Sequence, residues 1–195
     1  MKSKKIRRLA AAATLPFVLA ATSAHANSPA VAANATYAPI TVAEVEGAQR
    51  AWCNALVAIS TEADTKGQAA AKRLAEQVLD SAYGYNMGPV LFKPTLTVAP
   101  QTFRTTRDGA LAYFVGGDKA YPGDGGFALK HWRQCQSENA GIVITGSSAI
   151  SMGNVSMWDS SGNLTKVDKT WGYVRGGDGK LRIVLHHSSL PYTPK

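Results

Sequence analysis

The stretch TVAEVEGAQRAWCNALVAIS, residues 41–60, predicts a long amphipathic helix against which the rest of the domain must pack. Thr41 and Glu44 form a Thr-x-x-Glu capping box at its start. Apolar residues then recur at spacings of three and four, and they are Val45, Ala48, Trp52, Ala55, Leu56 and Ile59. This spacing places them on one face of a helix. We therefore expect a buried stripe that a second layer of structure covers.

Two more helices are predicted on either side of a short β-rich segment. The first covers about residues 66–82, and the second lies within TTRDGALAYFVGG, residues 105–117. Thr105 or Thr106 caps the second helix, and Gly116 stops it. The segment PVLFKPTLTV between them is β-rich but contains a proline, which favours an edge strand or a bulge.

The second half of the chain predicts four long strands, at about residues 128–138, 141–157, 164–175 and 180–189. Turn residues separate them in ENAG, DSSGN and GGDGK, and the serines at 147–148 are a further candidate break. Helices followed by an antiparallel meander indicate an α+β fold. The sheet must curl over the helical stripe, which makes a cone with an internal pocket.

Residues 1–26 have the pattern of a secretory signal peptide. A basic start precedes the apolar run LAAAATLPFVLAA, and the small residues AHA favour cleavage after Ala26. The apolar run is short for a membrane span and Pro16 interrupts it, so we expect no stable membrane anchor. The sequence predicts a flexible leader over 27–40, one domain over 41–195, and a periplasmic or secreted protein.

The net charge of +8 is not evidence for nucleic-acid binding. Residues 1–26 carry five of the 21 basic residues and none of the 13 acidic ones. The remainder has 16 basic residues against 13 acidic ones, a net charge of only +3. A charge this small does not indicate a polyanionic partner.

The two cysteines and the three histidines beyond the signal give no metal motif. In an oxidising compartment Cys53 and Cys135 can form one disulfide, although two buried thiols are equally compatible with the sequence. His186 and His187 are neighbours in a predicted strand, so they point to opposite faces and do not bind one ion together. We predict no catalytic metal.

The last predicted strand ends in four adjacent polar residues, HHSS at 186–189. Alternation places one set on a common face, namely Leu181, Ile183, Leu185, His187 and Ser189. Arg182 lies on the other face, which indicates that the other face is the outer one. We therefore predict that His187 and Ser189 point into the pocket. A bulge near the strand end would instead turn His186 and Ser188 inward.

Several segments resemble the iota-class carbonic anhydrases, which belong to the family of domains similar to the association domain of calcium/calmodulin-dependent kinase II. The matching segments are LHHSSLP at 185–191, LFKPT at 91–95, ALAYFVGG at 110–117, GFALKHW at 126–132, ENAGI at 138–142 and MGNV at 152–155. The resemblance spans about residues 42–194. It implies an α+β NTF2-like (ketosteroid-isomerase-like) cone, usually a homodimer.

The same resemblance implies reversible hydration of carbon dioxide to bicarbonate, without a metal cofactor. Zinc or manganese dependence stays open as an alternative. The family pocket has a Thr, a Tyr, a His and a Ser. The motifs assign Thr95 and Tyr113, and the alternation argument selects His187 and Ser189 as the catalytic and substrate-binding pair. His186 and Ser188 are the pair expected if the strand has a bulge.

Two other classes of function are compatible with a cone fold, because a fold does not determine function. An isomerase of the ketosteroid type needs an inward carboxylate as its base. We expect Asp168, between Lys166 and Lys169, to lie on the surface. The other class is a non-catalytic oligomeric module that binds small molecules or organises an assembly.

Overall fold

The long first helix forms as its capping box predicts. The structure is a computed structural model that describes residues 38–194. Helix α1 covers Val42–Lys66, and the Glu44 amide donates to the Thr41 hydroxyl while the Thr41 amide donates to the Glu44 carboxylate. Its buried side chains are Val45, Gln49, Trp52, Cys53, Leu56, Ile59 and Ser60. The predicted stripe is therefore the face that packs into the core.

The two shorter helices also form at the predicted positions. Helix α2 covers Gln68–Ala82 and follows Gly67, whose φ of 84° suits a residue without a Cβ. Helix α3 covers Arg107–Val115, and Thr106 caps its start by accepting from the Gly109 amide. A single 3₁₀ turn, Phe127–Leu129, follows.

Within residues 38–194, five strands form one sheet in the order β1-β5-β4-β3-β2. Their bounds are β1 Leu91–Lys93, β2 Trp132–Thr145, β3 Ser148–Asp159, β4 Leu164–Arg175 and β5 Leu181–Ser189. Strands β2 to β5 are an antiparallel meander, and β1 pairs parallel to β5 at one edge. The predicted α+β cone, with N-terminal helices against a curved antiparallel sheet, is confirmed.

The predicted strand break at ENAG is wrong. Strand β2 runs through it with a bulge between Asn139 and Gly141, and the turn falls at Gly146 and Ser147. The bulge is possible because Gly153 lies opposite it on β3, where a Cβ would overlap the Glu138 carbonyl oxygen. A bulge of this kind bends the strand and increases its twist, which helps the sheet to curve over α1.

A second bulge lies in β5 and changes which residues face inward. Gly172 of β4 pairs with Leu185 and Tyr173 pairs with Ile183, so Val184 is the additional residue on β5. The alternation restarts after the bulge, and consequently Ile183 and His186 are both buried.

A disulfide between Cys53 and Cys135 joins α1 to β2. It connects the helical layer to the sheet across a sequence separation of 82 residues. The core lies between α1, α2 and the concave face of the sheet, and the buried Trp52, Leu79 and Tyr173 belong to it.

The residue pair directly before helix α1 includes one that packs into the core. The signal peptide predicted over 1–26 and most of the leader predicted over 27–40 lie outside the described residues. Ile40, at the end of that leader, is buried, and its amide donates to the Gly146 carbonyl at 2.9 Å. Within residues 38–194, no helix combines the length and apolar character needed to cross a membrane.

Candidate active site

Two hydroxyl groups meet where β1 ends beside β5. The parallel pairing of Lys93 with His187 carries the chain through Pro94 to Thr95, next to the end of β5. Thr95 Oγ1 lies 2.6 Å from Ser188 Oγ, and Ser188 is buried. One hydroxyl donates to the other, so the pair keeps one O–H donor and further lone pairs for another molecule.

The phenol of Tyr113 lies beside this pair. Its ring stacks on Phe127 at 5.5 Å and meets Phe92 edge-on at 5.6 Å. Its hydroxyl is buried and makes no hydrogen bond to another described residue, although Thr95 is near enough to affect its pKa. Burial raises the pKa of Tyr113 above its ordinary value, so the phenol stays protonated and is an available donor.

A cavity of about 270 Å³ opens beside Tyr113. Its walls are Tyr113, Leu96, Phe127, Lys130 and the loop 123–126. One water takes about 30 Å³ of liquid volume, so the cavity holds several molecules of that size. Tyr113 lines this cavity and also neighbours Thr95, so it connects the cavity wall with the hydroxyl pair.

His186 is fully enclosed. Its ring stacks on Phe92 at 4.4 Å and meets the edge of Trp52 at 5.5 Å. Nδ1 lies 2.9 Å from the Tyr83 hydroxyl and Nε2 lies 2.8 Å from Lys169 Nζ. Burial lowers the pKa of His186 well below its usual range, and the neighbouring Lys169 lowers it further. The imidazole is therefore neutral, and both of its nitrogens already have protein partners.

Lys169 was missed by the sequence analysis, which noted it only as a neighbour of Asp168. It lies on the inner face of β4, 4 % exposed, between the buried Val167 and Trp171. The alternation of the predicted strand could have revealed that Lys169 is buried, because Lys169 occupies an inward position and the other inward residues are apolar. Lysine is rarely fully buried without a charged partner.

The prediction that His187 and Ser189 face the pocket is wrong. His187 is exposed and Ser189 is only half-buried, whereas His186 and Ser188 are buried. The bulge at Val184 is the physical reason, because one extra residue exchanges the faces of all residues after it. The structure therefore brings Thr95, Tyr113 and Ser188 together.

Carboxylates do not supply a free base here. Asp124 lines the cavity, but both of its oxygens accept hydrogen bonds from the buried guanidinium of Arg104 at 2.8–3.0 Å. Asp168 is exposed, as predicted, and accepts from Asn154. An isomerase that needs an inward carboxylate is not favoured by this arrangement.

Apolar rings and unpaired hydroxyl donors suit a small molecule with oxygen atoms at its ends. Phe92 and Phe127 supply ring surface, and the hydroxyls of Thr95, Tyr113 and Ser188 supply hydrogen bonds. In the described part of the chain, no three His, Cys, Asp or Glu side chains are grouped so as to hold a metal ion.

Comparisons of this chain with a family model, a curated protein and a solved structure agree with one another. The model of the metal-independent carbonic anhydrase family matches residues 43–190. A metal-independent carbonic anhydrase of Nostoc sp. (strain PCC 7120) is 63% identical over 153 residues, covering 78% of this chain and 75% of the relative. The crystal structure of a cyanobacterial iota-carbonic anhydrase complexed with bicarbonate is 62% identical, with a TM-score of 0.79. That match covers 80% of this chain and 95% of the other.

Proposed function

Because this chain belongs to the metal-independent carbonic anhydrases, we propose that the site formed by Thr95, Tyr113 and Ser188 carries out its reaction. The enzyme reversibly hydrates carbon dioxide to bicarbonate and a proton, and the family is metal-independent. The observation that carries the assignment of the site is the Tyr113 phenol, which has no hydrogen-bond partner among the described residues and lies beside the hydroxyl pair of Thr95 and Ser188.

In the proposed reaction the apolar walls hold carbon dioxide, and the hydroxyl groups hold water and stabilise charge. Carbon dioxide lies against the rings near Tyr113, and a water is held by Thr95 and Ser188. As the water oxygen bonds to carbon, one water O–H bond breaks and the proton passes in the end to buffer. One C=O electron pair moves onto oxygen, and the protonated Tyr113 phenol donates to that oxygen. Donors fixed in advance at the position of developing charge stabilise a transition state in this way. The resulting bicarbonate accepts the same hydrogen bonds.

The test is a stopped-flow assay of carbon dioxide hydration with a pH indicator. The protein is first treated with EDTA, and its residual zinc and manganese are measured by mass spectrometry. Hydration well above the buffer rate at strongly substoichiometric metal supports the proposal. Activity that disappears with EDTA and returns on adding zinc or manganese would contradict it.

We also propose that the chain forms a homodimer through the outer face of its sheet. A row of directly paired outer positions crosses all five strands, and its members are Leu91, Leu185, Gly172, Ile150 and Val143. Leu91, Ile150 and Val143 are more than half exposed, and so is the neighbouring Met152. A contiguous apolar surface of this kind is typical of an interface between protein chains.

We further propose that the protein is exported and that its signal peptide is cleaved near Ala26. The pairing of Cys53 with Cys135 supports this proposal, because disulfides persist in oxidising compartments. Expression of the full chain in a Gram-negative host tests it. We expect a periplasmic product whose mass corresponds to a start at Asn27, and a cytoplasmic full-length product would contradict the proposal.

A further inference from the structure

The amine of Lys169 is buried without a carboxylate partner. Its Nζ lies 2.8 Å from His186 Nε2 and faces the indole rings of Trp52 and Trp171 at 4.8 and 5.6 Å. Among residues 38–194, no Asp or Glu oxygen lies within 4.0 Å of it. An ammonium would bring three N–H donors into a place that offers one nitrogen acceptor, and an unpaired buried charge is unfavourable.

The hydrogen-bond chain that ends at Lys169 has a preferred direction. The Trp52 indole can only donate, and it donates to the Tyr83 oxygen at 2.9 Å. The Tyr83 O–H then donates to His186 Nδ1, which makes Nε2 the protonated nitrogen. Nε2–H donates in turn to the lone pair of an uncharged Lys169 amine.

The opposite direction leaves a buried donor without an acceptor. If Lys169 were an ammonium that donates to Nε2, then Nδ1–H would donate to Tyr83, whose oxygen already accepts from Trp52. The Tyr83 O–H would then have no acceptor among the described residues. Unsatisfied buried donors are unfavourable, so this chain of hydrogen bonds favours an uncharged Lys169 amine.

The pKa values of the neighbouring groups agree with this direction. Burial lowers the pKa of Lys169 to about 7. Burial raises the pKa of Tyr83 well above its usual value and lowers that of His186 well below it. Of these three groups, Lys169 is therefore the one that changes charge near neutral pH.

The other groups near Lys169 come from the neighbouring strands and from β1. Gly153 of β3 and Ser188 of β5 pair with it on either side, and Gly153 adds no side chain. Lys93 of β1 donates to the Ser188 carbonyl at 3.1 Å, and Tyr113 lies beyond Thr95. Directly paired strand residues have Cβ atoms about 5 Å apart, so the Cβ atom of Lys169 adjoins that of Ser188, which carries one hydroxyl of the pair.

We propose that Lys169 is an uncharged amine in the active enzyme and accepts the proton that water loses on adding to carbon dioxide. This inference rests on the proposed function and extends it. The water O–H bond breaks while the new C–O bond forms, and the proton passes from the hydroxyl pair through an intervening water to Nζ. The Nζ lone pair becomes free for it when the hydrogen bond from His186 Nε2–H opens. The ammonium that results is faced by two indole rings, which attract cations.

Release of the proton follows from the same geometry. The ammonium and the Nε2–H of His186 are both donors, so their hydrogen bond is lost until the imidazole proton moves to Nδ1, and the Tyr83 O–H then loses its acceptor. Both arrangements disfavour the ammonium, and the proton leaves to buffer before the next turnover. His186 and Tyr83 act as positioning residues because they hold the amine through the hydrogen-bond chain.

The kinetic test compares Lys169→Met and Lys169→Arg with the wild type between pH 6 and 9. We expect wild-type kcat/KM for hydration to rise with pH through a midpoint near that of the amine. Lys169→Met has a similar length but no basic nitrogen. We therefore expect its kcat/KM to fall by at least about 100-fold, the lower range for general base catalysis, and its pH profile to show no midpoint. Lys169→Arg stays charged and is expected to be equally inactive.

Lys166→Met is the matched control, since Lys166 lies on the same strand but is exposed. It should retain wild-type rates and the wild-type pH profile. Circular dichroism checks that each variant folds. Wild-type rates and an unchanged pH profile in folded Lys169→Met would overturn the proposal.

Nitrogen-15 NMR of the wild-type imidazoles gives a second test that needs neither a variant nor activity. We expect His186 to be protonated at Nε2 above the Lys169 midpoint and at Nδ1 below it. An Nδ1-protonated ring at pH 9 would overturn the direction of the hydrogen-bond chain. The nitrogen-15 shift of Lys169 Nζ in the same sample reports the charge of the amine, and an ammonium at pH 9 would overturn the uncharged-amine assignment. If the wild type showed no hydration, the proposed function would fail, and with it the role of Lys169 as proton acceptor. The NMR result would then still decide the charge state of the amine.

Discussion

Thr95 and Ser188 are 93 residues apart in the sequence, yet their hydroxyl oxygens lie 2.6 Å apart. Two features of the sheet produce this contact. The short β1 pairs parallel to β5, which brings Thr95 to the end of β5. The bulge at Val184 turns Ser188, rather than Ser189, toward it.

The hydroxyl pair is expected to be necessary for activity. Ser188→Ala and Thr95→Val should each lower kcat/KM for hydration by about 100-fold, the scale for loss of one preorganised donor. The kcat/KM of Ser189→Ala should stay within about twofold of wild type, because Ser189 is on the other face and supplies no preorganised donor to the site. Stopped-flow rates of carbon dioxide hydration, measured on variants of equal thermal stability, test this expectation. Equal losses for Ser188→Ala and Ser189→Ala would contradict the assignment of the face.

The two neighbouring histidines are expected to behave differently. His186→Ala removes a buried ring stacked on Phe92 and the support of Lys169, so both activity and stability should fall. Truncation of a buried aromatic ring typically costs about 3–5 kcal/mol. His187→Ala should preserve both, since His187 is exposed. Urea unfolding and hydration assays on each variant measure the difference, and an inactive but stable His187→Ala would contradict it.

Burial of Lys169 predicts a pH dependence of stability. Its pKa is about 7 in the folded protein, whereas an exposed lysine has a pKa of about 10.4. Between these values the unfolded chain binds more protons, so stability rises with pH, by up to about 1.4 kcal/mol per pH unit. The unfolding free energy of wild type minus that of Lys169→Met should therefore increase from pH 7 to 10. A difference independent of pH would contradict it.

The disulfide between Cys53 and Cys135 is expected to stabilise the fold substantially. Closing a loop with a separation of 82 residues removes roughly 3–5 kcal/mol of unfolded-state entropy in the chain-entropy model. The double variant Cys53→Ala, Cys135→Ala should unfold at correspondingly lower denaturant. It should keep its activity under native conditions, because neither cysteine adjoins Thr95 or Ser188. Denaturation midpoints with and without a reductant provide the comparison, and no change on reduction of the wild type would contradict it.

The outer face of the sheet is expected to hold the homodimer together. Met152→Lys and Ile150→Lys place charge in the exposed apolar row and should shift sedimentation from dimer to monomer. Lys166→Met, away from that row, is a suitable control. A wild-type protein that sediments as a monomer at micromolar concentration would contradict the proposed interface.

The helices and their ends were predictable because their signals are local. The Thr41–Glu44 capping box, the cap at Thr106 and the stop at Gly116 each depend on residues within one turn of each other. The edge position of β1 was also predictable, since Pro94 cannot donate to a neighbouring strand. The pairing of β1 with β5 and the contact of Trp52 with Tyr83 depend on residues far apart in the chain, and no local pattern reveals them.

Residue types and spacing were sufficient for the α+β class, and the family resemblance pointed to Thr95 and Tyr113, which lie next to each other in the structure. Residue types and spacing could not choose between His186 and His187, since alternation has a period of two and one added residue reverses it. The tertiary structure made that choice. Gly172 has no Cβ, and a Cβ there would lie 2.9 Å from that of Leu185. The close approach of these two strands next to the Val184 bulge turns His186 and Ser188 inward, against Lys169.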